Sequence, residues 1–513
     1  MAKIKGWIES KLSLLVIIFI VMHPLLDVLS YFLAEMGDNT ISTLSRFAML
    51  AAIALVGFVI SDQKKMFIIL YGTIAVFWII HCINCYRIGY KNIVDDTSNY
   101  LRIVSLPIYS LSLVAFFKKG KNIRKSICIG FAANLGIIIV FTALPWLTGN
   151  PVYTYESLYI GLMGWFNVRS AQSAIIVLII PISIFFAYRT KNYIVYVLSL
   201  LLSMGLMFMT GTKLTYYSIL LVCVAFIFLF VINLKEKSIK YSVPLLMVLI
   251  AAVAFKSYSP TSVRDSMTAN AQNNYQKLVE ASVKASVQPS KSTLPRKVYD
   301  PIERNRKTIF GVYTDKDVYG RIYRDINDRF GVYNVMTAFD YTTSPSILSD
   351  TRERKTYFAK LVWSEKDFLT HLVGFEYEDM IHGNTNYDLE NDFPAVFFFC
   401  GYIGFALYLL YFAYFIFIVL RAFLRNVNKF LTIEMGVVGM SFILAVGAAQ
   451  ISGNVLRRPN VTGYFAVIAA YIYYLAVMQP LPEGAKNIKE FISDILKKMR
   501  ERKAEKKKKK AAV

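Results

Sequence analysis

A histidine set among carboxylates is the first feature with chemistry in it. The run Ile381-His382-Gly383-Asn384-Thr385-Asn386-Tyr387-Asp388-Leu389-Glu390-Asn391-Asp392 is polar and passes directly into the apolar stretch that begins at Phe393. An imidazole beside anions is equipped for general-base work, because the anions hold one tautomer and stabilise the charged ring. Asp388, Glu390 and Asp392 are alternative bases, since partial burial raises a carboxylate's affinity for protons. The plainer reading is a surface loop that caps a helix. His23, His81 and His371 lie in or at the ends of apolar stretches and read as hydrogen-bonded structural histidines. The string His81-Cys82-Ile83-Asn84-Cys85 holds metal-ligand types, yet no second Cys or His pair accompanies it. Walker, dinucleotide-binding and Ser-His-Asp patterns are missing too, so no metal and no cofactor are expected.

A second constellation is cationic. Arg46, Arg102, Arg169 and Lys213 open apolar runs, Arg457 and Arg458 precede another, and Arg87 and Lys91 lie between two more. Ionisable groups near membrane depth are costly and usually face a bundle interior or a polar cavity. Guanidinium forks match phosphate oxygens two at a time and lysine adds a point charge, so a diphosphate on a lipid carrier is the natural partner. Each cation alone is equally well read as snorkelling to headgroups or pairing with Asp38, Glu156 or a loop carboxylate. Thr210-Gly211-Thr212-Lys213 puts a lysine and two hydroxyls between two runs with almost no loop. Tyr153, Tyr155, Tyr159 and Trp165 form an aromatic connection that suits an interfacial belt before it suits sugar stacking.

The elements that must position these residues are membrane helices. Of 513 residues 56% are hydrophobic and only 18% charged, with mean hydropathy +0.46, whereas soluble domains carry about 25% charged residues. Runs near the ~20 residues needed to cross a bilayer fall at 12–34, 43–60, 66–84, 101–117, 126–147, 169–188, 193–209, 214–233, 242–255, 393–420, 430–450 and 461–479, which predicts about twelve spans. The first run carries His23, Pro24 and Asp27 and lacks a small-residue cleavage site, so it reads as a retained span. Five cysteines in or beside apolar runs offer no disulfide framework.

Charge orients the bundle. The net +23 lies entirely outside residues 256–392, which hold 19 basic and 19 acidic side chains. That distribution indicates positive loops beside a membrane rather than a nucleic-acid surface. Lys3, Lys5 and Lys11, Lys64 and Lys65, the cluster Lys118–Lys125, Arg189 and Lys191, Lys235–Lys240, Arg421–Lys429 and the tail ending in Lys506–Lys510 all fall on one side. By the positive-inside rule that side is cytoplasmic, with both termini inside. The expected organisation is spans one to nine over 1–255, an extracytoplasmic lid over 256–392, spans ten to twelve over 393–479 and a basic cytoplasmic tail over 480–513.

With these elements in place the chain resembles the O-antigen ligase and O-antigen polymerase superfamily, and in particular the ligase-like proteins of surface polysaccharide clusters. The resemblance rests on twelve spans with a large loop between the ninth and tenth, on Leu348-Ser349-Asp350-Thr351-Arg352-Glu353-Arg354 before a helix, on Leu372-Val373-Gly374-Phe375, and on Cys400-Gly401-Tyr402-Ile403-Gly404-Phe405. Arg352, or Arg354 in a slipped register, takes the place of the family's loop arginine, and Gly401 with Gly404 match its Gly-x-x-Gly. Glu376 stands where the family has the second glycine of its turn, Glu390-Asn391 where it has His-Asn, and His382 lies eight residues early.

The resemblance implies transfer of an undecaprenyl-diphosphate-linked glycan to an acceptor hydroxyl, a glycan or a lipid, on the outer face of the bacterial cytoplasmic membrane, without a nucleotide sugar or a required metal. His382 or Glu390 would act with Arg352, and Arg46, Arg102, Arg169, Lys213, Arg354, Arg457 and Arg458 would hold the diphosphate. A flippase for the same lipid-linked sugars is the main rival, although it has little use for a 137-residue loop between two spans. A metal-dependent oligosaccharyl-type transferase would carry its carboxylates in a large first outer loop, which is here only Glu35 to Ser42.

Overall fold

The computed structural model describes residues 2–233, 238–269, 320–342, 344–348, 350–427, 432–453 and 455–479, with isolated positions elsewhere. Lys235, Lys237, Lys429 and the run Lys506–Lys510 lie outside the described residues, and of the start of the expected lid the described residues show helix over 260–269.

Among the described residues eleven helices are long and apolar enough to cross a bilayer: α1 (Ala2–Glu35), α2 (Thr40–Ile60), α3 (Lys64–Ile88), α4 (Ile93–Lys119), α5 (Ile123–Leu147), α6 (Arg169–Arg189), α7 (Tyr193–Thr210) and α8 (Lys213–Ile232) before the long loop, then, after it, Asp392–Arg425, Ile433–Ile451 and Pro459–Tyr473, the last continuing to Met478 as a π turn. The expected ninth span is a shorter helix, α9 (Ser242–Ala254), flanked by 3-10 turns at Ser238–Tyr241 and Lys256–Tyr258. It still returns the chain to the other end of the bundle. Tyr216, near the start of α8, donates to the Ala252 carbonyl (2.8 Å), and Lys213 pairs with Asp265 beyond α9 (3.2 Å). The all-α polytopic architecture is therefore as the sequence predicts.

In lipid, helices gain little by hiding apolar surface from one another, so packing and hydrogen bonds decide which helices sit inside. The apolar window of α6 is 94% buried, against 17% for α2 and for α3. Hence α6 runs through the centre and α2 and α3 lie at the lipid-facing rim. Side-chain caps set several starts: Asn92 accepts from Val94 and Asp95 at α4, Asn192 from Ile194 and Val195 at α7, and Thr212 from Thr215 at α8.

The described part of the loop forms helices α10 (Gly320–Phe330), α11 (Val332–Ala338), α12 (Thr351–Glu365) and α13 (Phe368–Val373), then a two-residue hairpin of β1 (Ile381–His382) and β2 (Thr385–Asn386). The post-loop spans are α14 (Asp392–Arg425), α15 (Ile433–Ile451) and α16 (Pro459–Tyr473). Asp350 caps α12, accepting from the Arg352 and Glu353 amides.

Helix α13 docks on α3 and leaves Phe368 and Leu369 exposed. Asp367 caps it through the Thr370 amide (3.0 Å) and hydroxyl (2.7 Å), while Arg87 of α3 donates to Asp367 (2.5 Å) and Asn84 to the Thr370 hydroxyl (3.0 Å). The bonds from Thr370, followed by that from Arg87, hold the Asp367 carboxyl down to about 2. His371 stacks on Trp363 (4.3 Å) and bonds its carbonyl, a structural role as expected.

The two family-like glycines meet back to back below α13. Gly374 (φ 89°, ψ 170°) ends that helix, and Gly401 (φ 62°, ψ −170°) breaks α14. Both conformations belong to a region open essentially to glycine alone. A Cβ on Gly374 would come within 2.2 Å of the Phe399 carbonyl oxygen, and one on Gly401 within 2.5 Å of the Gly374 nitrogen. Gly374→Ala and Gly401→Ala are each expected to destabilise by at least ~1–3 kcal/mol, read as a lower melting midpoint in detergent. Gly439→Ala, with open space around its Cβ, should leave the midpoint unchanged.

Candidate active site

Three of the cations singled out from sequence line one cavity. Arg46 on α2, Arg102 on α4 and Arg458 just before α16 bound a space of about 390 Å³ between the helix ends, with Asp27 of α1 and Gln172 of α6 completing the wall. Arg46 is 9% exposed and donates from Nη2 to Asp27 Oδ1 (2.6 Å). Its Nη1 and Asp27 Oδ2 are buried with no bond among the described residues. Arg102 is half-buried, and no carboxylate or carbonyl among the described residues accepts from its guanidinium. The lining thus holds three arginines and one carboxylate, and Arg46 is paired with that carboxylate. The Arg102 guanidinium, with no acceptor among the described residues, favours an anionic guest in this space.

The remaining cations go elsewhere. Arg457 is 8% exposed and donates to Asp388 (2.8 Å), to Asn99 (3.2 Å) and to the Leu389 carbonyl, so it clamps the end of the polar run to the bundle. Asp388 and Asp392 raise its affinity for its proton against the opposing effect of burial. Asp392 is fully buried and accepts from the Val455 and Leu456 amides, which makes it an anchor for the 455–457 turn. Arg169 lies 5.3 Å from the Tyr155 ring, and Arg264 covers the same ring at 4.9 Å while bonding its hydroxyl (2.6 Å). Lys213 and Arg264 share Asp265. These residues form a second basic group around the aromatic connection, whose Tyr155 stacks with two guanidinium groups while Tyr153 and Tyr159 pack edge to face.

The loop residues form a third group. Arg352 donates to Glu390 (2.8 Å) and to the Ile451 carbonyl (2.9 Å), and Lys355 reaches the other oxygen of Glu390 (3.2 Å). Burial works to raise the Glu390 pKa, but Arg352 and Lys355 outweigh it and hold the carboxylate below its ordinary value. Arg354 points its Nε into a buried space with no bond to it among the described residues. His382 sits on the hairpin opposite Thr385, and among the described residues no side chain bonds its ring. The hairpin itself is firmly held. Thr385 donates to Asp325 of α10 (3.1 Å), the Tyr387 amide to the Met380 carbonyl (2.8 Å), and the Tyr387 ring stacks on Phe358 of α12 at 4.0 Å.

Asp96 and Glu376 are contributors that the sequence reading passed over. Glu376, in the place of a family glycine, accepts from the Lys91 and Asn92 amides just before α4, and burial raises its pKa. The departure thus gives a strut between loop and bundle. Asp96 is 3% exposed and accepts from the Tyr90 hydroxyl (2.5 Å) and the Tyr377 amide (3.0 Å), with His81 Nε2 at 3.0 Å. His81, Cys85 and Asp96 bring three ligand-type atoms within 4.8 Å of one another. Both oxygens of Asp96 are engaged in hydrogen bonds, and His81 Nδ1 meets the Val373 carbonyl at 2.9 Å, so the group works as a strut under the Gly374 turn. A carboxylate inside an apolar run is the signal that finds Asp27 from sequence, whereas Asp96 lies between the runs 66–84 and 101–117 and carries no such signal.

Comparison with known proteins adds one finding. A family model described as O-antigen ligase like membrane protein matches residues 9–478. No curated protein and no solved structure matches the chain.

Proposed function

The chain belongs to the family of O-antigen ligase-like membrane proteins, and from that premise we propose that it transfers a glycan from a polyprenyl diphosphate carrier to an acceptor hydroxyl at the outer face of the membrane. The observation that carries the reading is the cavity in which Arg46, Arg102 and Arg458 converge with a single carboxylate, already taken by Arg46. The basic loops at the opposite ends of the helices support the outward orientation of that cavity.

In the proposed reaction the acceptor oxygen attacks the anomeric carbon while the bond from that carbon to the diphosphate breaks. The diphosphate leaves with the electron pair. Guanidinium groups fixed where this charge develops stabilise the transition state without reorganising. The acceptor proton goes to a base on the loop. His382 is the better candidate, because Glu390 is already committed to Arg352 and Lys355 and held as a weak base. Glu390 then serves to aim Arg352. Helices α10 to α13 form a lid that limits water, the competing acceptor. The matching family supports glycan transfer in polysaccharide biosynthesis, while the carrier, the outer-face reaction and the roles of individual residues are our proposal.

A reconstitution experiment tests it. Protein in liposomes, given a polyprenyl diphosphate-linked glycan and a glycan or lipid A-type acceptor, should release free polyprenyl diphosphate in step with acceptor glycosylation. Movement of the intact lipid-linked glycan across the bilayer with no release would instead identify a flippase.

A further inference from the structure

Tyr377 begins the 3-10 turn Tyr377–Met380, between the Gly374 turn and the hairpin. Its backbone is fixed from the bundle side. The amide donates to Asp96 Oδ1 (3.0 Å), and Asp96 is in turn held by Tyr90 and His81. Asp96 and the cavity residue Arg102 both lie on α4, six positions apart, or roughly 9 Å along the axis at 1.5 Å per residue. One rigid helix therefore sets both the cavity cation and the placement of Tyr377.

The side chain is fixed as well. Its ring packs on Phe399 (5.7 Å), and its hydroxyl oxygen accepts from Asn386 Nδ2 on the hairpin (3.1 Å). Asn386 also accepts from the Asp388 amide (2.7 Å), and Asp388 is held by Arg457 (2.8 Å). The phenol thus stands where hairpin and polar run meet, outside the residues that line the cavity but within electrostatic reach of Asp388, Arg457 and Arg102. Asn386 supplies a proton to the oxygen, and among the described residues nothing accepts the proton that the phenol itself carries. Burial raises its pKa above the ordinary tyrosine value, so the proton stays on the oxygen at neutral pH.

We infer that Tyr377 is a further substrate-contacting residue, whose O–H donates to a phosphoryl oxygen of the donor beside Arg102. This rests on the function proposed above. A phenol whose oxygen is oriented by an amide, with its proton unclaimed among the described residues and a guanidinium within electrostatic reach, has the arrangement of one donor in an oxyanion-binding set. Asp96 and His81 are positioning residues, acting through the Tyr377 backbone.

The test is Tyr377→Phe in the full-length reconstituted protein, which keeps the ring on Phe399 and removes only the hydroxyl. Rates are normalised to folded protein recovered as a single species in detergent. Loss of one donor to developing charge should lower kcat by about 10²-fold, with donor KM changed far less and the melting midpoint unchanged. A wild-type kcat per folded molecule overturns the inference. Arg102→Ala, measured alongside, separates the two failures. If Arg102→Ala loses turnover and Tyr377→Phe does not, the role of Tyr377 falls alone. If both keep full rates, the cavity is not the donor site and the functional proposal falls with it.

Discussion

Arg102→Ala should reduce glycan transfer by about 10²–10³-fold, the usual loss when one group that stabilises developing charge is removed, and the protein should still fold. The expectation follows from how differently Arg102 and Arg457 are bound. Arg102 lines the cavity, and nothing among the described residues accepts from its guanidinium, so the folded protein loses little when it goes. Arg457 is buried and bonds Asp388, Asn99 and the Leu389 carbonyl. Its removal strands buried polar partners, a loss of about 3–5 kcal/mol. Arg457→Ala should therefore fail to accumulate as folded protein, whereas Arg102→Ala melts normally and turns over poorly. Arg102→Lys should recover only part of the rate, because an ammonium keeps the charge without the two-pronged geometry. Full activity in Arg102→Ala would remove the cavity from the mechanism.

His382→Gln should cost about 10²–10⁴-fold in turnover, the range of a general base, with donor binding preserved. Glu390→Gln should cost less and act through Arg352, whose guanidinium it orients at 2.8 Å. The pH profile separates the two. Glu390 is held below its ordinary value by Arg352 and Lys355, so it is already ionised throughout the neutral range and contributes no change of charge there. A rising limb in the pH–rate profile, the mark of a general base, is thus expected in the parent and in Glu390→Gln. That rising limb should vanish in His382→Gln. If the limb persists there and disappears in Glu390→Gln, the roles are reversed. The depressed carboxylate also stabilises the fold only while ionised. Its contribution is present above the unfolded-state value and is lost as pH falls through the lower folded-state value.

The helical bundle was legible in the sequence because a span announces itself by length and apolarity, and each expected run from 12–34 to 461–479 finds its helix. Even α9, too short by length alone, was visible as an apolar run between polar segments. The site was legible as a set of residue types and only partly as a place. Arg46, Arg102 and Arg458 line one cavity, but Arg169 and Lys213, which also stand at the starts of expected runs, gather around Tyr155 and Asp265 instead. Spacing along the chain fixes the depth of a residue in a bundle, not the direction around the helix that its neighbours leave open. The pairings across long separations, Arg46 with Asp27 and Glu390 with Arg352, depend on that direction. So does the strut from Asp96 to Tyr377, which joins residues 281 positions apart.

The break at Gly401 constrains how the chain is made. A membrane helix normally leaves the insertion machinery with every backbone group already satisfied, and an unsatisfied group in hydrocarbon costs several kcal/mol. Here the Phe398 carbonyl accepts from the Phe375 amide (3.2 Å), and the peptide around Gly401 is sheltered by the Gly374 turn. The nascent α14 therefore lacks a partner for its own backbone until α13 and its turn have settled against α3. Ribosomal order favours this outcome, because residues 368–375 are synthesised before residue 401 and need only wait at the membrane surface. Completion of the backbone bonding around Gly401 and closure of the loop's last turn are therefore expected to be coupled.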